Sequence, residues 1–81
     1  MAGALIKRSF SLARHRTSVA LEADFWDALE AIARSAGVSL AQLVAMVDAA
    51  RDGEAPLASA LRVHALRRAT HRSRAEDEAP G

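Results

Sequence analysis

Side chains able to bind phosphate are concentrated in two stretches of the chain. Residues 1–21 contain Lys7, Arg8, Arg14 and Arg16 and no acid, while residues 55–75 contain five arginines and no acid. The seven acids of residues 22–54 separate these stretches. Although the net charge is only +1, segregated charge favours a basic surface for a polyanion. The alternative is that these are ordinary solvated faces.

The sequence lacks the groupings that catalysis and metal binding require. No nucleophile has an ordered base beside it and no glycine-rich phosphate loop is present, so we do not expect an enzyme. His64 and His71 lie two helical turns apart, whereas a metal prefers ligands at i, i+3 or i+4 on a helix, and His15 lies far from both. We therefore expect neither a metal nor a cofactor.

Composition indicates one small domain that is not a membrane protein. The chain has 81 residues, 51% apolar but only 4% aromatic, so a single copy is expected to bury few large side chains. No apolar run approaches the ~18–20 residues that span a bilayer, and the charges of the N-terminus follow a very short apolar stretch, the reverse of a secretory signal. The absence of cysteine fits a reducing compartment. These features predict a cytoplasmic protein that gains stability by oligomerisation.

Period-two alternation predicts strand structure before the helices. Thr17, Val19 and Leu21 alternate with Arg16, Ser18 and Ala20, which predicts a strand over Thr17–Leu21. A similar alternation makes Arg8–Leu12 a possible extra strand. Between them, Ala13-Arg14-His15 lacks the Gly or Asn of a tight hairpin, so a bent continuous segment is also possible.

Three helices are predicted after the strand. The first covers Ala23–Ala36 because apolar residues recur with helical spacing from Phe25 to Ala36, and Gly37 suits the left-handed position that ends a helix. Ser39 and Gln42 form a capping box that opens a second helix, ending near Ala50 or Arg51. A third helix is predicted over Leu57–Thr70.

Domain boundaries follow from this pattern. Residues 1–15 are expected to be a basic N-terminal arm, residues 16–70 the folded domain with its third helix, and residues 71–81 a disordered tail, because the chain becomes polar and loses periodicity after Thr70.

A lone strand predicts a homodimer. Its backbone groups are unpaired on both edges, and two copies of Thr17–Leu21 could pair antiparallel about a two-fold axis. Arg16, Ser18 and Ala20 would then point outward. The residues expected in the shared dimer core are Thr17, Val19, Leu21, Phe25, Trp26, Leu29, Ile32, Leu43, Val44 and Val47.

Three segments of the chain resemble a known family. The first segment starts at Arg16 and reads Arg-Thr-Ser-Val-Ala-Leu-Glu-Ala-Asp-Phe-Trp-Asp-Ala-Leu. The second starts at Ala36 and reads Ala-Gly-Val-Ser-Leu-Ala-Gln-Leu, and the third starts at Leu57 and reads Leu-Ala-Ser-Ala-Leu-Arg-Val. Together they resemble small stand-alone bacterial ribbon-helix-helix proteins. The resemblance covers roughly Lys7 to Leu66. It implies a mainly α fold with one short β-ribbon, an intertwined homodimer, and a ribbon that lies in the major groove of double-stranded DNA.

The resemblance also implies roles for particular residues. Base contacts fall on Arg16, Ser18 and Ala20, of which Ala20 offers only an apolar contact. Phosphate contacts fall on the amides around Val38, Ser39 and Leu40, where a helix N-terminus favours anions. The resemblance therefore predicts a transcriptional regulator.

Several assignments have a competing interpretation. Arg16 and Ser18 could simply lie on a solvated strand face, and Lys7, Arg8 and Arg14 could bind phosphates or only make the terminus soluble. The five arginines of residues 55–75 could bind phosphate or pair with Asp24, Asp27 and Glu30. Trp26 could be core or could bind a partner. The alternative function is a dimeric protein-interaction module, antitoxin-like or an adaptor, that uses the third helix and the tail.

Overall fold

A ribbon of two strands and three helices make up the fold. The computed structural model of the chain describes residues 4–12, 15–51 and 53–78, with side chains as far as Thr70. The elements in chain order are β1 (Leu5–Leu12), β2 (His15–Glu22), α1 (Ala23–Ala36), α2 (Leu40–Ala50) and α3 (Leu57–Glu78). The strands form a two-stranded antiparallel sheet, and the three helices pack against one another on one face of it.

The pairing partner of β2 lies in the same chain. Leu5 pairs with Glu22 and Leu12 with His15, so two residues separate the strands. The possible extra strand is confirmed and begins earlier, at Leu5. β2 therefore already has one pairing partner within its own chain, and pairing of β2 with a second copy stays a prediction. The hairpin had no clear sequence signal, because Ala13 and Arg14 occupy the positions where Asn and Gly usually favour a tight turn.

Trp26 joins α1 to β1. The indole is 1% exposed, so Trp26 lies in the core of the single chain. Its Nε1 donates a hydrogen bond of 2.8 Å to the carbonyl oxygen of Ile6. The Phe10 ring lies 5.8 Å away between centroids, and the Arg8 guanidinium lies 5.0 Å above the indole. One side chain of the first helical turn therefore anchors the N-terminal strand.

The junction between α1 and α2 follows the sequence prediction. Gly37 adopts φ 74°, the left-handed conformation, and its N–H donates to the carbonyl of Arg34. Such a conformation is strained for residues with a Cβ. The capping box is present, because the Gln42 amide donates to Ser39 Oγ at 3.0 Å and the Ser39 amide donates to Gln42 Oε1 at 2.8 Å.

The third helix is longer than predicted. It packs against α1, α2 and β2 through Leu61 and Ala65, which are 0% and 4% exposed. It continues to Glu78, beyond the end predicted at Thr70, while residues 79–81 lie outside the described part. The assignment of residues 71–81 to a disordered tail stays a prediction. Arg, Ala and Glu are good helix formers, and they can extend a helix that packing has already nucleated.

The single chain buries most of the residues expected in a dimer core. Val19, Leu21, Trp26, Leu29, Leu43, Val44 and Val47 are buried, and Thr17, Phe25 and Ile32 are half-buried. The same core includes Phe10, Leu12, Ala33, Leu61 and Ala65. Strand β1 and helix α3 thus contribute core residues to the single chain, whereas the sequence pattern predicted that a second copy would complete the core. Contact between copies through these residues stays a prediction.

Within the described residues, no single helix is both long and apolar enough to span a bilayer, and the α1–α2 pair that would suffice in combined length and composition is bent by 97°.

Candidate nucleic-acid interface

The hairpin separates its side chains into two faces. Alternate residues of a strand point to opposite sides, and the buried residues Phe10, Leu12, Val19 and Leu21 turn one face towards the helices. The opposite side, which we call the outer ribbon face, carries Lys7, Ser9, Ser11, Arg16, Ser18 and Ala20. All of these except the half-buried Ala20 are exposed.

Two hydroxyls meet at the centre of the outer ribbon face. Ser9 and Ser18 are paired in the register, and their Oγ atoms lie 3.0 Å apart, in hydrogen-bond contact. Since each hydroxyl can donate once and accept twice, the pair keeps one donor and several acceptor positions for a ligand. Next to it, Ser11 pairs with Arg16. The face therefore combines a guanidinium with three hydroxyls.

The acid at the edge of the ribbon is compensated. The Glu22 carboxylate accepts from Arg62, with Nη2 and Nε at 3.0 and 3.1 Å from Oε1. A hydrogen bond from its own backbone and the contact with Arg62 hold the pKa of Glu22 below its ordinary value. The carboxylate thus stays ionised and paired. Lys7 and Arg16 are positive on the outer ribbon face, and Glu22, which alternation places at the end of the same face, is neutralised by Arg62.

Arg8 is engaged on the other side of the ribbon. Its Nη1 lies 2.7 Å from Glu30 Oε2, and its guanidinium stacks over Trp26. The chain therefore already uses this arginine internally, whereas Lys7 is exposed on the outer ribbon face. Arg14, the remaining predicted phosphate contact of the arm, lies outside the described residues.

The N-terminus of α2 offers fewer amides than predicted. Val38 donates its N–H to the carbonyl of Ala33 at 3.0 Å, and the Ser39 amide is used by the capping box. Within the described part of the chain, the amides of Leu40 and Ala41 make no hydrogen bond. Of the three predicted phosphate contacts at this helix start, Leu40 keeps a free donor. Ala41 is a further candidate.

The arginines of α3 have different surroundings. Arg62 pairs with Glu22, an acid that precedes α1 and is not one of the predicted partners, and it lies 5.7 Å from the centre of the Phe25 ring. Arg67 and Arg68 are exposed. Side chains of Arg72 and Arg74 lie outside the described part. Among the described residues, no group of three or more metal-ligating side chains could hold an ion.

Sequence reasoning missed two hydroxyls of this surface. Ser9 and Ser11 received no role because their strand was treated as optional. The signal was present in the sequence, since both alternate with the buried Phe10 and Leu12. Pairing of β1 with β2 brings them beside Ser18 and Arg16.

The architecture defines a class of small protein domains: an antiparallel ribbon with a polar, basic outer face, supported by packed helices. The family model of the ribbon-helix-helix domain matches residues 5–69, and the chain belongs to this family. Proteins of this family are generally DNA-binding regulators or antitoxins and typically dimerise. Comparisons with curated proteins and with solved structures gave no match.

Proposed function

We propose that the protein is a homodimeric DNA-binding transcriptional regulator that places the outer ribbon face in the major groove. The proposal rests on the composition of that face, which carries two exposed cations and three hydroxyls. The nearby acid, Glu22, is neutralised by its ion pair with Arg62. Arginine can bond guanine bidentately and serine can donate to or accept from a base edge. Arg16, Ser18 and Ala20 are the proposed base contacts, with Ser9 and Ser11 beside them.

The width of the groove favours one hairpin per groove. The major groove is about 12 Å wide and admits a two-stranded ribbon. Strands lie about 4.8 Å apart, so a sheet made by joining two hairpins edge to edge would span about 14 Å between its outer strands. Because one chain already presents two strands, we propose that each subunit inserts its own hairpin. A dimer would then contact two half-sites.

Phosphate contacts are proposed around this ribbon. Lys7 is exposed on the outer ribbon face, and the amides of Leu40 and Ala41 point out of a helix N-terminus, where the helix dipole favours anions. Phosphate contacts position the protein without reading sequence. Each neutralised phosphate should make the slope of the logarithm of the binding constant against the logarithm of the salt concentration more negative by roughly 0.9.

A matched pair of arginine variants tests the proposal. A duplex that binds is first selected from a random-sequence pool at low salt, and its affinity is then measured for the wild type, Arg16→Ala and Arg34→Ala. Arg34 is exposed in the last turn of α1, outside the ribbon, so its variant carries the same change of charge. Arg16→Ala should weaken binding by about 1–3 kcal/mol if the residue contacts a base.

Two outcomes contradict the proposal. If the wild type binds no duplex even at low salt, it is not a DNA-binding protein. If Arg16→Ala and Arg34→Ala lose affinity equally, net charge rather than the outer ribbon face is responsible.

A further inference from the structure

Two serines from different strands form one hydroxyl pair on the outer ribbon face. Ser9 on β1 is the register partner of Ser18 on β2, and both side chains are exposed. Their Oγ atoms lie 3.0 Å apart in hydrogen-bond contact, and either atom could be the donor. The donors and acceptors that remain after this bond has formed decide what the pair can bind.

The bond between the two hydroxyls limits what they can offer to a ligand. A serine hydroxyl has one O–H donor and two acceptor lone pairs. The serine that donates to its partner has used its proton and can only accept, whereas the serine that accepts keeps its own O–H for a ligand. The pair thus presents one donor with an acceptor beside it. Because either serine can be the donor, the order of the two can reverse.

Among the four bases, adenine has the major-groove edge that complements this arrangement. Adenine presents N7 as an acceptor and the N6 amino group as a donor, so both groups find a partner on the pair. Guanine presents two acceptors, N7 and O6, and the serines can supply two donors only if the hydrogen bond between them breaks. Thymine O4 and the cytosine N4 amino group can each engage a single hydroxyl.

The side chains around the hydroxyl pair allow the ribbon to approach a base edge closely. In the register, Lys7 and Ala20 lie on one side of the pair, and Ser11 and Arg16 lie on the other. Ala20 and Ser11 are short, while the two cations are long, exposed and on different strands. Successive outward residues of a strand are about 6.8 Å apart, whereas successive bases are about 3.4 Å apart. The hydroxyl pair and Arg16 therefore face different base pairs.

We propose that Ser9 and Ser18 together form an adenine-reading site, in which one hydroxyl donates to N7 and the other accepts from the N6 amino group. This inference rests on the proposed function, because it needs the outer ribbon face to lie in the major groove. It deepens that function by naming the base that the joined hydroxyls select. It also makes Ser9, which lies on the N-terminal strand, a specificity-determining residue.

A base-by-base comparison of alanine variants tests the site. Each position of a duplex selected with the wild type is replaced in turn, and affinities are measured for the wild type, Ser9→Ala and Ser18→Ala. The wild type should require adenine at one position and lose about 5- to 150-fold in affinity when guanine replaces it, as expected for a bidentate base contact. Both variants should lose this preference at the same position and keep the preference at the position that Arg16 contacts.

The two hydroxyls should act as a unit. The double variant Ser9→Ala/Ser18→Ala should therefore discriminate no worse than either single variant. Replacing the adenine by 7-deazaadenine, which lacks the N7 acceptor, or by unsubstituted purine, which lacks the N6 amino group, should weaken binding of the wild type. Neither replacement should affect the double variant.

Ser11→Ala is the matched control. It removes another exposed hydroxyl of the same face, and it should leave the preference for adenine unchanged. Circular dichroism and urea denaturation would verify that each variant folds. A serine pair that only stabilised the hairpin would change affinity for every duplex alike and would not change the preference at a single position.

The outcomes separate this inference from the proposed function. A bound sequence without a required adenine, a preference that survives Ser9→Ala, or an equal loss in Ser11→Ala would overturn the adenine-reading site. The proposed function would still stand in each case if Arg16→Ala weakened binding more than Arg34→Ala. A wild type that binds no duplex would contradict both.

Discussion

Replacing Trp26 by phenylalanine should weaken the attachment of β1 to α1. The substitution removes the Nε1 donor that bonds the Ile6 carbonyl at 2.8 Å, at a cost of about 1 kcal/mol. A smaller ring leaves a void in the core, which costs about another 1 kcal/mol. It also weakens the stacking of the Arg8 guanidinium by roughly 0.5 kcal/mol. The total is a loss of about 2–3 kcal/mol in the free energy of unfolding.

Urea denaturation followed by far-ultraviolet circular dichroism measures this loss. Fluorescence is unsuitable because Trp26 is the single tryptophan of the chain. For a urea m-value of about 1 kcal/mol/M, the midpoint should fall by about 2–3 M. Wild type and variant are compared at one protein concentration, since dimerisation would make stability depend on concentration.

Amide hydrogen exchange shows whether the loss is located at β1. Exchange should accelerate more at Ile6 and Arg8 than in α2. As a control, Phe25→Leu changes the neighbouring, half-buried aromatic residue and should cost less. If Trp26→Phe were within about 0.5 kcal/mol of the wild type, or if β1 exchanged as before, then Trp26 would not anchor the strand.

Three further predictions concern the helices. Ser39→Ala removes the Oγ that accepts from the Gln42 amide and should cost about 1 kcal/mol in urea denaturation; an unchanged midpoint would show that the capping box contributes nothing. Gly37→Ala should also cost about 1 kcal/mol, because φ is 74° although a Cβ there would meet no atom within 4 Å; equal stability would contradict this backbone argument. His64 is half-buried, and burial followed by the charge of Arg68 lowers its pKa below the ordinary value of 6.5. The unfolded chain therefore takes up this proton before the folded one does, so stability should fall as pH drops from 7.5 to 5.5, and His64→Gln should flatten that slope; the same slope in both proteins would exclude His64 as its source.

The helical part of the fold was predictable because its signals are local. Apolar spacing placed α1 at Ala23–Ala36, and the pattern of Ser39 and Gln42 placed the start of α2. The left-handed Gly37 followed from its position directly after the last periodic residue. Each of these features depends only on residues within one or two helical turns of one another, so the local sequence is sufficient to predict it.

The hairpin and its consequences were less predictable because they depend on contacts distant in sequence. No residue between β1 and β2 favours a tight turn. The hairpin is instead supported by the hydrogen bond from Trp26 on α1 to Ile6 on β1, two residues that lie 20 positions apart in the sequence. Arg62 bonds Glu22, which lies 40 positions away in the sequence. The segregation of charge along the chain does not indicate whether Arg62 pairs with Glu22, Asp24, Asp27 or Glu30. Similarly, Ser9 and Ser11 join the candidate interface only through the pairing of β1 with β2.

Nuclear magnetic resonance can show directly whether the outer ribbon face contacts DNA. The ¹⁵N-labelled protein is titrated at low salt with a short duplex taken from the selection. If this face binds DNA, amide resonances should shift at Lys7, Ser9, Arg16 and Ser18 and at the start of α2, while those at Leu61 and Ala65 stay in place. Shifts confined to α3, or no shift anywhere, would contradict binding through this face.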